Sequence, residues 1–260
     1  MAVNIESYFF TNNGGVRGNN EDGLLVKDIL ITDTSMETPD SFLTDDTDAL
    51  FCIADGIGGE QKGEVASQKV LCGLLAEQAV ITSEKTVSDA LYLAKENLEQ
   101  YVKENPDAYN LGCTLAGLII RGTKAIAFNV GDCRVYRING NYFEQITKDH
   151  SIVQTLFDEG IITEEEMRFH PRRNVITSSV SGDGRSDSIH VFSHKISLRN
   201  YDIFFICSDG IWGCFSHDEL EMIYQRFQGY DFCEKLLTAA LARKASDNIS
   251  GILLIVSTCE

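Results

Sequence analysis

The stretch GCTLAGLIIRGTKAIAFNVGDCRVYRINGNYFEQIT, residues 112–147, decides the fold. It holds apolar runs at 113–120, 124–130, 134–138 and 142–147, rich in β-branched and aromatic residues. The junctions RGTK (121–124) and INGN (138–141) are far too short for a helical crossover. Runs joined by tight glycine turns form antiparallel hairpins rather than βαβ units. Similar runs lie at 5–10, 23–32, 49–54, 187–198, 201–208 and 249–257. About ten antiparallel strands divide into two packed sheets rather than one open one.

Helical periodicity at 64–80, 86–104, 150–159, 163–168, 217–227 and 231–244 predicts amphipathic helices for the outer faces. In the first, Val65, Val70, Leu74 and Leu75 are expected to share one side. The acidic stretch DTSMETPDSFLTDDTD (33–48) reads as an exposed loop. No internal repeat and no Pro/Gly/Ser linker interrupts the 260 residues, so one domain spanning 1–260 is expected. Hydrophobic residues at 43% and charged residues at 23% suit a globular chain with a substantial core.

A net charge of -17 repels nucleic acid and anionic membranes, which excludes polyanion-binding classes. A bound cation can still reverse the sign locally and admit a phosphorylated substrate. The eight cysteines show no CxxC and no zinc-ligand spacing. They read as small core residues of a protein in a reducing, cytoplasmic compartment. Neither a signal peptide nor a membrane segment is predicted.

Several acids fall at comparable places on the expected strands. Glu21 and Asp22 precede LLV, Asp55 ends ALFCIA, and Asp132 follows AIAFNVG. Asp209 ends IFFICS and Asp247 precedes ISGILLIV. In antiparallel pairs the end of one strand meets the start of its neighbour, so Asp22 should face Asp55, and Asp209 should lie near Asp247. Carboxylates crowded at one partly buried rim repel, and a multivalent cation relieves that repulsion. An all-oxygen donor set suits Mg²⁺ or Mn²⁺ rather than Zn²⁺. Taken singly, an Asp-Gly step at a strand end is an ordinary turn; its repetition in IADGI (53–57) and CSDGI (207–211) argues for a site. Arg17, in the turn GGVRGNNEDG (14–23), reads alone as a surface ion pair and beside such a rim as a phosphate fork.

The ordered set RGNNED (17–22), ADGIGG (54–59), GCTLAG (112–117), VGDCRVYRI (130–138), KDHS (148–151), CSDGIWG (207–213) and SDNIS (246–250) resembles the metal-dependent serine/threonine protein phosphatases of type 2C. HPRRNVITSSVSGD (170–183) is similar to the matching stretch of their compact bacterial members. The resemblance implies an α+β, four-layer αββα sandwich. It also implies hydrolysis of phosphoserine and phosphothreonine on proteins, by a hydroxide bridging two Mg²⁺ or Mn²⁺ ions, in a chain that opposes a protein kinase. By analogy Asp55 bridges the ions and activates the water. Asp209 and Asp247 complete one site and the Gly56 carbonyl serves the other. Glu21 and Asp22 act through metal-bound waters, and Arg17 holds the phosphate. The family also places a flap here, at about 148–184, where Arg172 and Arg173 are candidates for contacting an acidic phosphopeptide.

The chain departs from the family in two places. Ile57 stands where many members have a proton-donating histidine. His150 is a tempting replacement, although a lone histidine near a turn is more often structural. Asp132 matches a ligand of a third ion, but its usual partner acid is replaced by Gly213, which puts that ion in doubt. Thr114 and Ser178 fit supporting or flap roles as well as core or turn roles. The rivals are a catalytically weak or inactive interaction module of the same fold, and a metal-dependent nuclease, which the acidic surface disfavours. A monomer is expected.

Overall fold

The computed structural model describes residues 2–57, 62–184 and 188–259. Gly58 and Gly59 of the ADGIGG motif, and residue 187 at the head of one expected strand, lie outside them. One sheet orders Asp40–Thr44 (β4), Ala2–Asn12 (β1), Ile249–Cys259 (β13), Asp202–Cys207 (β12), Arg134–Asn139 (β8) and Tyr142–Gln145 (β9). The other orders Phe192–Ser197 (β11), Lys124–Val130 (β7), Gly112–Arg121 (β6), Asp48–Ile57 (β5), Asp22–Val26 (β2) and Ile29–Thr32 (β3), with Val180–Ser181 (β10) also on β6. Every pairing is antiparallel, as the hairpin turns of residues 112–147 require.

β6 shows why the fold has four layers. Its residues alternate in direction, as a strand dictates. Leu115 and Ile119 join a core beneath the helices Gly63–Glu77 (α1) and Glu84–Glu104 (α2). Ala116, Leu118 and Ile120 face the other sheet, against Ile206, Leu254 and Phe204. A strand buried on both faces cannot show polar alternation, which is why the run is uniformly greasy. Gly117 interrupts it because a Cβ there would stand 2.5 Å from the Phe128 ring. Full burial of such a ring contributes roughly 2–3 kcal/mol. A third core lies under His217–Arg226 (α6) and Tyr230–Ala242 (α7), where Phe205 and Leu253 meet Tyr224, Phe232 and Leu236. The chain is thus a mixed α+β sandwich with helices on both outer faces.

Several expectations change. The run 23–32 breaks into β2 and β3 at Lys27, whose φ of 57° turns the chain. The acidic stretch is not all loop: β4 pairs with β1, with Phe42 opposite Ser7, because Phe42 and Thr44 turn inward while Ser41 and Leu43 stay outside. The buried side of α1 is Ala66, Ser67, Val70, Leu71 and Leu74; Val65 and Leu75 only flank it. The run 187–198 narrows to β11, and CSDGIWG carries a short helix, Asp209–Cys214 (α5). Cys52, Cys113, Cys133, Cys207 and Cys233 are core residues, but Cys72 is exposed and Cys214 half-buried. Among the described residues no helix is long and apolar enough to cross a membrane.

Candidate metal and phosphate site

Asp22 opens β2 and Asp55 sits near the end of β5, and the register sets them directly opposite each other. β12 and β13 pair through Cys207 and Gly251, so Asp209, just past one, and Asp247, just before the other, arrive at neighbouring strand ends. Asp132 follows β7 in the turn leading to β8 and is 5% exposed. The expected rim therefore forms from five separate stretches of chain. Arg17 joins it by an ion pair to Asp247, Nη2 to Oδ2 at 2.9 Å.

The loop that carries Arg17 is tied to the start of β13. Asn248 Nδ2 donates to the carbonyls of Asn13 (3.2 Å) and Asn19 (2.9 Å), and its Oδ1 accepts the Glu21 N–H at 2.8 Å. Beside it, Gly56 is a packing necessity: a Cβ would lie 2.3 Å from the Gly63 carbonyl oxygen and 2.8 Å from that of Glu21. Gly210 is another, since its Cβ would come within 1.9 Å of the Asn248 carbonyl. The glycine after each aspartate thus lets two backbones touch behind the acids.

Burial raises the carboxyls of Asp22, Asp55, Asp132 and Asp209. Burial first, then Asp22 and Asp209, hold Asp55 well above the carboxylate range. Asp209 rises to about 7 through burial and the charge of Asp247. Asp132 rises to about 8 through burial and Asp209. Asp22 reaches about 7 through burial, although Ser208 and Ser250 donate to its Oδ2 at 2.8 and 2.6 Å and favour its anion. Glu21 is raised by partial burial and by Glu64, which the sequence reading did not single out.

The donor chemistry fits divalent cations. Asp22 Oδ1 and Asp209 Oδ1 are buried and without a hydrogen-bond partner, as is Glu64 Oε2. Unsatisfied anionic oxygens in a buried rim are costly unless a cation or a proton reaches them. Asp22 otherwise turns to its serines and Asp247 to Arg17, so among the described residues no three such side chains converge as a ready coordination set.

A cleft of about 330 Å³ opens on the rim at Asp209 and Asp247. Arg173 lines it; Arg172, the other flap candidate, does not. Gly213 also faces it, with nothing within 4 Å of where its Cβ would stand, so the expected partner acid for Asp132 is missing while the space for it remains. His150 is structurally engaged: its Nδ1 accepts the Gly131 N–H at 3.0 Å, and burial and His190 lower its pKa. Thr114 stands opposite Asp55 and contacts Cys133 Sγ at 3.3 Å, while Ser178 Oγ accepts the His190 N–H at 2.9 Å.

The sequence reading missed a buried polar clamp behind the rim. Arg134 donates to Asp149 from Nε (3.0 Å) and Nη2 (2.7 Å), and its guanidinium lies 4.0 Å from the Trp212 ring centroid. Trp212 Nε1 in turn donates to the Asp132 carbonyl at 2.9 Å. GDCR, KDHS and DGIWG are thereby joined. The only signal in the sequence was that all three motifs carry polar residues that the proposed chemistry leaves unused.

The description "Protein phosphatase 2C" belongs to the family model that matches residues 6–156. The chain is a member of that family. It is 28% identical to the serine/threonine phosphatase stp of Listeria welshimeri over 96% of this chain and 95% of that protein. Protein phosphatase PhpP of Streptococcus pneumoniae is 32% identical over 79% of this chain and 85% of its own length. Among solved structures, the Mycobacterium tuberculosis serine/threonine phosphatase PstP/Ppp superposes with a TM-score of 0.78 at 27% identity, covering 98% of this chain and all of that one. The PstP catalytic domain in complex with two manganese ions gives a TM-score of 0.76 at 25% identity, with 98% and 100% coverage.

Proposed function

We propose that the chain is a Mg²⁺- or Mn²⁺-dependent protein phosphatase that hydrolyses phosphoserine and phosphothreonine on proteins. One observation carries this reading: Asp22, Asp55, Asp209 and Asp247 come to one partly buried rim with Asp22 Oδ1 and Asp209 Oδ1 unpartnered. Membership of the phosphatase family supports it, as do relatives named serine/threonine phosphatases and the two manganese ions of the PstP catalytic domain.

In this reading Asp55, Asp209, Asp247 and the Gly56 carbonyl hold two cations, with Glu21 and Asp22 acting through water. Bound as a pair, the ions neutralise phosphate charge and make water acidic enough to attack near neutral pH. Asp22 is fixed for its part by Ser208 and Ser250, which leave its Oδ1 free. Arg17 holds the substrate phosphate: its side chain is half-exposed at the rim, and Asp247 orients the guanidinium. His150 has its Nδ1 engaged by the Gly131 N–H, and its lowered pKa disfavours the imidazolium that would protonate the leaving alkoxide, which argues against it as the general acid. Ile57 cannot donate either, so water supplies that proton. The whole chain acts as one catalytic unit with residues 148–184 as its flap. It works as a monomer in the cytoplasm, opposing a protein kinase.

The test is hydrolysis of p-nitrophenyl phosphate and of a phosphopeptide panel with Mn²⁺. Activity should vanish with chelator and in Asp55→Ala. Gly213 favours one other reading, a weakly active or inactive member with a partner-binding role. Failure on every substrate despite bound Mn²⁺ would select it, and cleavage of single-stranded DNA alone would select a nuclease.

A further inference from the structure

The cleft beside Asp209 and Asp247 is also lined by three cationic residues, in a chain of net charge -17. Arg173 reaches it from the flap, and Arg243 and Lys244 from the turn after α7. Arg243 is already committed: it pairs with Glu219 at 2.6 Å and donates to the Cys214 carbonyl at 2.8 Å. Among the described residues, Arg173 and Lys244 form no ion pair.

Lys244 is also held at a conformational cost. It follows Arg243, the cap at the C-terminus of α7, with φ 54°, where glycine or asparagine is the usual occupant. Its N–H donates to the Leu241 carbonyl at 3.0 Å, and the next carbonyl, Ala245, accepts the Gly15 N–H at 2.9 Å, so the turn is locked to the Arg17 loop. A cation near a helix C-terminus is favourable, but any residue of the last turn could supply one without a left-handed backbone. The other lysine at positive φ, Lys27, has a partner, Asp46 at 3.1 Å. A strained position that presents an unpaired charge to the cleft suggests a ligand.

We propose that Lys244 and Arg173 form a subsite for an acidic side chain flanking the phosphorylated residue of the substrate, an inference that rests on the phosphatase reading above. The phosphate itself is taken by Arg17 and the cation pair, which leaves these two charges for a neighbouring aspartate or glutamate. The acidic remainder of the surface does not cancel the effect, because screening confines each charge to about 8 Å at physiological salt. An extended peptide advances roughly 3.3 Å per residue, so an acid within a few positions of the phosphosite reaches this cationic lining.

The experiment uses the full chain with Mn²⁺ and phosphothreonine peptides carrying Glu, Ala or Lys two positions to either side. The wild-type kcat/KM should favour Glu over Ala by about three- to tenfold on one side, the range two exposed ion pairs supply. Lys244→Ala and Arg173→Ala should each shrink that ratio, Lys244→Glu should bring it to one or below, and added NaCl should flatten it. Lys85→Ala, in an exposed helical pair with Asp89, should leave it unchanged. A wild-type ratio near one, or the same ratio in Lys244→Glu, overturns the subsite. If neither p-nitrophenyl phosphate nor any phosphopeptide is hydrolysed despite bound Mn²⁺, the phosphatase reading falls by itself. The subsite is then decided by binding, read from Trp212, the only tryptophan, which lines the same cleft. Saturable quenching stronger with Glu than with Ala peptides upholds it, and equal quenching overturns it.

Discussion

Asp22 stands directly opposite Asp55 across the β2–β5 ladder, the first buried and the second half-buried, and desolvation raises the pKa of both. The fold thus holds like charges together at a strand end, where burial and mutual repulsion both disfavour ionisation. What stabilises the arrangement depends on what neutralises it.

Protons do so at low pH. Asp22 and Asp209 rise to about 7 and Asp132 to about 8, all above the ordinary carboxyl value near 3.9 of an unfolded chain. Between about pH 4 and those values the folded state binds more protons than the unfolded one, so stability falls as pH rises. Glu219, held down to about 2 by Arg243, does not oppose this, because its stabilising effect is lost only below its unfolded pKa. Urea denaturation with chelator should therefore give higher stability at pH 5 than at pH 8, by several kcal/mol. Excess Mn²⁺ should remove or invert the difference, because it binds the deprotonated acids. Stability that climbs from pH 5 to 8 with chelator present would refute the account.

The strand register behind this cluster was legible in the sequence. Short greasy runs and tight turns fix antiparallel order, and antiparallel order places Asp22 at Asp55 without any side-chain detail. Two kinds of feature were not legible. β4 lies in a stretch dominated by Asp and Thr, and only the alternation of Phe42 and Thr44 marks it, because pairing with β1 depends on a distant segment. The Arg134, Asp149 and Trp212 contacts join residues from three parts of the chain whose spacing carries no period.

That clamp yields the second prediction. Arg134→Met leaves Asp149, whose side chain is 3% exposed, without its cation, and removal of one partner from a buried pair costs about 3–5 kcal/mol. Trp212→Phe keeps an aromatic face for Arg134 but removes the donor to the Asp132 carbonyl, costing about 1 kcal/mol. The two variants should part on function. Trp212→Phe should remain folded and bind Mn²⁺ more weakly by calorimetry, because α5 then holds Asp209 less firmly against Asp132. Unchanged Mn²⁺ affinity in a folded Trp212→Phe protein would reduce the clamp to a stability device.

The third prediction concerns the missing acid. Gly213 lies four residues after Asp209 on α5, the spacing that brings two side chains to one helical side, and no atom lies within 4 Å of its Cβ position. Gly213→Asp should therefore fit without repacking and gain a few tenths of a kcal/mol in helix propensity. Its carboxylate adds a further like charge beside Asp209 and Asp132, so with chelator at pH 8 the variant should be less stable than the wild type despite that gain. With Mn²⁺ the order should reverse, since the same charge now completes a third cation position with Asp132. Calorimetry should count about three ions per chain instead of two, and half-maximal activity should need less Mn²⁺. If Gly213→Asp binds no additional ion and merely loses stability in both conditions, Asp132 is not poised as a cation ligand, and burial together with the Trp212 bond suffices to explain its position.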